Sequence, residues 1–261
     1  VSIAEEARKG PPKTRARILT LDIECSPNRV DVWQLNAPSL RVGLNQVHEV
    51  SRVLCFAAKW HGSKKVLFFS EDEHGHEAMI EAAWHLFNEA DVIVAHNATF
   101  DIKHLQREFL LAGLTPPSPF KTVCTLKAIR QQFRFASNKL DHVCQQLGLG
   151  NKVHHEGHEL WTKVMAGDPK ACAKMKRYCK ADVVLCEALY DRLGAYISSH
   201  PHHGIYTGQA GSCFRCGGTE LIADGTASTT TSTYARLKCV ACGAWSRASR
   251  SLTTTVTRSA R

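Results

Sequence analysis

Cys213-Phe-Arg-Cys216 and Cys239-Val-Ala-Cys242 form two CxxC pairs with residues 217–238 between them. Each pair can turn two thiolates toward one ion, and the glycine after each (Gly217, Gly243) permits the tight turn of a zinc knuckle. Two knuckles joined by a hairpin make a small four-cysteine zinc ribbon, expected over residues 211–249. A unit of about forty residues buries too little apolar surface to fold without such a staple. Four thiolates close the tetrahedron, so a single structural zinc is expected, with no open position for water. Disulfides or a redox pair are the competing uses of these cysteines.

The other seven cysteines, Cys25, Cys55, Cys124, Cys144, Cys172, Cys179 and Cys186, stand singly in apolar segments. Reduced proteins use cysteine in this way, as a small core residue, which points to an intracellular, reducing compartment such as the cytoplasm. No apolar run reaches bilayer-spanning length and the N-terminus lacks a secretory signal, so no membrane partner is expected. Net charge is +9, from 33 Lys and Arg against 24 Asp and Glu. That balance favours a polyanionic partner, because released counterions drive binding to phosphate backbones. Residues 201–261 carry much of it: Arg215, Arg236, Lys238, Arg247, Arg250, Arg258 and Arg261 against Glu220 and Asp224.

Ahead of the cysteines, patterning predicts one α/β domain over residues 17–198, following a basic leader (1–16). ILTLDIE (Ile18 to Glu24) reads as a buried strand, and a loop-rich stretch follows to about Glu49. VLCFAAKW (53–60) and KVLFFS (65–70) flank His61-Gly62-Ser63 as a hairpin. Residues 73–89 have helical spacing, DVIVAH (91–96) is a strand, and FDIKHLQREFLLAG is a helix ending at Gly113. Helices are also expected at 125–133 and 139–147. The longest helix starts near Asp168-Pro169, and Met175, Cys179, Val183, Cys186, Tyr190, Leu193 and Ile197 share its core face. This order predicts an α/β sheet with helices on its faces. A linker rich in His, Gly and Ser (199–210) leads to the ribbon, the Thr/Ser run 226–233 is expected as a loop, and residues 250–261 as a disordered tail.

Asp22 and Glu24 are two apart on the first strand and so point to one face of the sheet. Paired acids on a core strand are costly unless a cation or donors satisfy them, the alternative being a strand end open to solvent. Asp101 stands just after the strand DVIVAH, in the first turn of a helix. It can serve there as a cap, or as a ligand-binding group at a strand end. Asp182 lies inside the long helix, and Tyr178, four residues earlier, leaves the same side.

LDIE, HNATFD and YCKAD, in that order, resemble the three motifs of DEDD-type (DnaQ-like) 3′–5′ exonucleases, and the YxxxD form resembles the Tyr-containing subclass. The likeness covers roughly Arg17 to Ile197 and includes NKLDHVCQQLGLG, which is similar to the helix before that family's last motif. The resemblance implies an RNase H-like fold, a mixed sheet flanked by helices, in which Asp22, Glu24, Asp101 and Asp182 bind two magnesium or manganese ions. Those ions would activate a water and clamp the phosphate, with Tyr178 orienting the water. Asn97 and Phe100 would line the terminal-nucleotide pocket. Ala98 departs from the family, which carries Gly there. The implied partner is a nucleic-acid 3′ end, single-stranded DNA ahead of RNA, with a replication or repair protein as a further partner. A compact nuclease plus ribbon also resembles stand-alone exonucleases encoded by phages, which would act in an infected host cell.

In the ribbon, Phe214, Tyr234 and Trp245 with Arg215, Arg236, Lys238 and Arg247 offer stacking and phosphate contacts to a strand. The same aromatics can instead pack internally, with the ribbon docking protein. The segment from His154 to Glu159 lacks HExxH spacing and reads as an exposed loop entering a helix. His200, His202 and His203 read as part of the linker. Two other functions remain consistent with the sequence: a non-catalytic nucleic-acid-binding zinc-ribbon protein, and a structure-specific endonuclease on an RNase H-like fold.

Overall fold

The computed structural model describes residues 16–34 and 41–257. The leader up to residue 15 and residues 258–261 lie outside the described residues. The elements in chain order are β1 (Ile18–Cys25), β2 (Arg29–Val30), β3 (Val47–Glu49), β4 (Val53–Trp60), β5 (Leu67–Ser70), α1 (Glu71–His74), α2 (His76–Glu89) and β6 (Val92–Ala95). They continue with α3 (Ala98–Leu111), β7 (Lys121–Cys124), α4 (Thr125–Gln132), α5 (Leu140–Gln146), α6 (His158–Met165) and α7 (Pro169–Leu193). The last are α8 (His203–Thr207), β8 (Leu221–Ser228), β9 (Ser232–Cys239) and β10 (Trp245–Thr254).

A five-stranded sheet has the order β5-β4-β1-β6-β7. It is mixed: β4 runs antiparallel to β1 and β5, whereas β6 runs parallel to β1 and β7. The expected hairpin is therefore present. The single helix expected over 73–89 is instead α1 and α2, separated at Gly75.

Period-two alternation along β1 gives the sheet two different faces. Leu19, Leu21 and Ile23 pack with Phe56 and Ala58 of β4 against Met79, Ala83 and Phe87 of α2 and Leu105 of α3. The intervening Asp22 and Glu24 lie opposite Ala57 and Cys55. Directly opposed residues share a face, and Cys55 and Ala57 pack on Met175, Cys179 and Val183 of α7. The two carboxylates thus project under the long helix rather than into water.

Asp168 caps α7 by accepting from the Ala171 amide at 2.7 Å, and Pro169 at its first position supplies a preset φ. Every residue of its expected core stripe is buried. Cys179 Sγ donates to the Asp22 carbonyl at 3.5 Å, and the buried pair Lys59–Glu187 ties β4 to the same helix.

The C-terminal sheet has the order β10-β9-β8. Here the sequence expectation needs correction. The Thr/Ser run is largely strand, since β8 extends to Ser228 and β9 starts at Ser232. The last strand continues past Ser249 to Thr254, into the stretch expected to be disordered. Threonine suits a pleated, half-open surface, and the β9 ladder supplies partners for the backbone. The segment between the domains also folds: α8 lies within it, and His200 is buried with its Nε2 2.6 Å from Tyr190 Oη.

Candidate active site and zinc centre

Asp22, Glu24 and Asp182 bring carboxylate oxygens within 4.8 Å of one another. β1 supplies the first two and α7 the third. Asp101, the remaining acid named from sequence, is buried in the first turn of α3 but outside that tight group. Its Oδ1 accepts from the Ile23 amide at 3.2 Å, which anchors it against β1 between Asp22 and Glu24.

The electrostatics are those of a group of acids short of positive charge. Burial, then Glu24, Asp101 and Asp182, holds the Asp22 carboxyl well above the usual range. Burial, then Asp182, pushes Glu24 up to about 8. Burial pushes Asp101 up to about 7 against the pull of its amide contacts. Asp182 is raised by burial, partly offset by Lys152.

Two oxygens, Asp22 Oδ2 and Asp182 Oδ1, are buried with no hydrogen-bond partner. A buried carboxylate oxygen left unpaired costs about 1–3 kcal/mol or more. Orphaned hard oxygens on acids grouped this closely are the donor set of magnesium or manganese. The residues present therefore fit a divalent cation.

Tyr178 is buried one turn before Asp182. Around it are residues that sequence reasoning missed. Lys152 Nζ donates to Tyr178 Oη at 3.0 Å and also contacts Asp182. Burial opposes the lysine's charge, but Asp182 and Tyr178 outweigh it, so its pKa is raised and it stays cationic. The His155 ring meets the Tyr178 ring edge-on at 4.8 Å, with Trp161 beside it. His155 is thus half-buried packing in a segment expected to be an exposed loop. Burial and the neighbouring acids raise the Tyr178 phenol above its usual value, so it keeps its proton at neutral pH. Lys152 also lines a cavity of about 490 Å³ with Arg130, Lys139 and Asp141, where the three cations outnumber the one acid and give the site a cationic flank.

Asn97 takes a left-handed conformation (φ 75°) where β6 turns into α3. Phe100 is 44% exposed and packs on His104, with ring centroids 4.2 Å apart. Ala98 is fully buried in the core cluster, so its methyl is accommodated by packing.

The four ribbon cysteines form a second group, with Cys213 and Cys242 sulfurs 3.6 Å apart and Cys216 and Cys239 sulfurs 3.7 Å apart. A disulfide would need about 2.05 Å. Four sulfurs at zinc's bond length of about 2.3 Å lie about 3.8 Å from one another in a tetrahedron, so the cluster matches a four-thiolate zinc site. Gly217 (φ 76°) and Gly243 (φ 71°) follow the two pairs in the left-handed region that side chains disfavour.

Arg215, expected as a phosphate contact, is buried instead. Its guanidinium lies over the Tyr190 ring at 4.3 Å and donates to the Tyr190 carbonyl and Asp191. Gly194 makes room for it, since a side chain there would collide with the guanidinium. The first knuckle is thereby pinned to α7.

A family model described as the RNase_H superfamily matches residues 43–194, which takes in Asp101, Tyr178 and Asp182. Among solved structures, RNase D of Trypanosoma brucei is 14% identical, with 75% of this chain and 61% of that chain covered and a TM-score of 0.45. Its complex with RNA U12 is 14% identical over 75% of this chain and 59% of that one, with a TM-score of 0.41. This chain thus spans about three-fifths of those chains. No curated protein matches.

Proposed function

The chain belongs to the RNase_H superfamily, and from that premise we propose that it is a metal-dependent 3′–5′ exonuclease acting on single strands, DNA before RNA. The observation that carries this reading is the buried acid group, with its orphaned Asp22 Oδ2 and Asp182 Oδ1, beside a protonated tyrosine on the same helix. Asp22, Glu24, Asp101 and Asp182 would hold two divalent ions. When bound, such ions polarise the scissile phosphate, activate a water and stabilise the leaving 3′ oxygen.

The chain's own residues do the rest. Tyr178, protonated and held by Lys152, orients the attacking water by hydrogen bonding instead of taking its proton. Lys152 supplies positive charge next to the acids, where a phosphate must approach. Asn97, at the strained turn into α3, and the exposed ring of Phe100 form the surface that receives the terminal nucleotide. The ribbon, held by one structural zinc, assists by binding the strand or a replication or repair partner.

End-dependence tests the reading. With magnesium or manganese, the protein should shorten a linear single strand and leave a covalently closed circle of the same sequence intact. Cleavage of the circle would replace the exonuclease with an endonuclease on the same fold.

A further inference from the structure

β9 and β10 place Tyr234, Arg236 and Lys238 on one face with Trp245 and Arg247, because Trp245 lies opposite Lys238 and Arg247 opposite Arg236. The alternate β9 residues, Ala235, Leu237 and the metal-ligand candidate Cys239, face the other way. On the charged face the rings and cations interleave. Arg236 and Lys238 lie over the Trp245 ring at 4.6 and 5.3 Å, and Arg247 lies over the Tyr234 ring at 3.8 Å. Trp245 is nonetheless 43% exposed. Among the described residues, Asp224 pairs with Arg236, while Lys238 and Arg247 have no carboxylate partner.

We propose that this face is a nucleic-acid site separate from the catalytic acids, which holds the single strand whose 3′ end they cut. The cation–ring stacks fix long side chains that would otherwise lose entropy on binding. They also present flat surfaces, ring or guanidinium, on which bases of any sequence stack while phosphates meet Lys238 and Arg247. The unbalanced positive charge excludes a basic partner and matches a polyanion. The buried Arg215 clasp keeps the face in a fixed relation to α7, and Tyr190 is about 12 Å along that helix from Asp182. A strand gripped at the ribbon is therefore tethered to the body that carries the acids.

The proposal rests on the exonuclease reading only for what happens to the strand, and binding is measurable without cleavage. The full chain carrying Asp182→Asn, with its zinc content verified, is titrated into a fluorescently labelled single-stranded oligonucleotide across a range of salt concentrations. Trp245→Ala should weaken binding about tenfold or more. Lys238→Gln with Arg247→Gln, which leaves both rings in place, should lower the slope of log affinity against log salt by about 1–2. In the otherwise wild-type enzyme both changes should raise KM for long strands and leave kcat unaltered. If variants with full zinc content bind DNA and RNA strands as tightly and as salt-dependently as the parent, the proposal is overturned, and a protein-docking face is the alternative. Binding that depends on these residues in a protein that cleaves nothing would uphold this site and remove the exonuclease reading.

Discussion

Without divalent cations, the stability of the protein should fall as pH rises through neutrality, and Glu24→Gln should remove much of that fall. Oxygens of Asp22, Glu24 and Asp182 lie within 4.8 Å of one another. Two unit charges at that separation repel by about 3.5 kcal/mol at an effective dielectric of about 20. Burial, and for Glu24 the neighbouring Asp182 as well, pushes Glu24 to about 8 and Asp101 to about 7, so both keep a proton when no metal is bound. A carboxyl raised on folding keeps a proton that the unfolded chain has released. Its stabilisation is complete below the unfolded pKa and is lost as pH rises through the folded one, at about 1.4 kcal/mol per pH unit for each retained proton. Buried His96 and His200, both held down to about 4, act in the opposite sense below about pH 6.5, where the unfolded chain protonates them. The unfolded histidines are still half protonated at about pH 6.5, so between about pH 6.5 and 7.5 the two together offset about 0.7 kcal/mol of the fall. Across that interval Glu24 contributes about 1.2 and Asp101 about 0.7 kcal/mol. The net fall of about 1.2 kcal/mol corresponds to a drop of about 2–5 °C in Tm for a chain of this size. Thermal melts of wild type and Glu24→Gln, in buffer free of magnesium and manganese and with the ribbon zinc verified, read this directly. Wild type should show the drop, the variant about half of it or less, and millimolar magnesium should erase it in wild type. A flat profile, or equal drops in both proteins, would refute the reasoning.

Tyr178→Phe should lower kcat about a hundredfold while leaving divalent-cation affinity, measured by calorimetry, unchanged, because the phenol orients water and binds no ion. Cys213→Ser should reduce bound zinc from one ion to none by elemental analysis and expose the ribbon to proteolysis, while the RNase H-like domain keeps its melting transition. Arg215→Ala should cost about 1–3 kcal/mol, because Asp191 and the Tyr190 carbonyl lose a buried donor. Limited proteolysis between residues 199 and 210 should accelerate in the same variant.

The parts of the site that were legible in the sequence obey short periodicities. Asp22 and Glu24 are two apart on a strand and Tyr178 and Asp182 four apart on a helix, so their shared faces follow from backbone geometry alone. Lys152 was not legible because it arrives from a loop. Its place is set by Asp141 Oδ1, which accepts from its amide at 2.8 Å, and nothing in the spacing announces that contact. Arg215 was misread for a related reason: an arginine between two metal ligands reads as surface charge until Tyr190 and Gly194 are seen to form its socket. His200 likewise belonged to a segment whose composition reads as a linker, yet Tyr190 and the Pro201 carbonyl engage both its ring nitrogens. The Thr/Ser run shows the converse, where turn-like composition yields to a ladder of cross-strand partners.

The most direct test of the central claim is digestion of a 5′-labelled single-stranded oligonucleotide with magnesium or manganese, wild type beside an Asp22→Ala, Glu24→Ala double variant. The account predicts a ladder shortening from the 3′ end with wild type and none with the variant. Intact DNA and RNA strands after incubation with metal-loaded wild type, or an equal ladder from the variant, would contradict it.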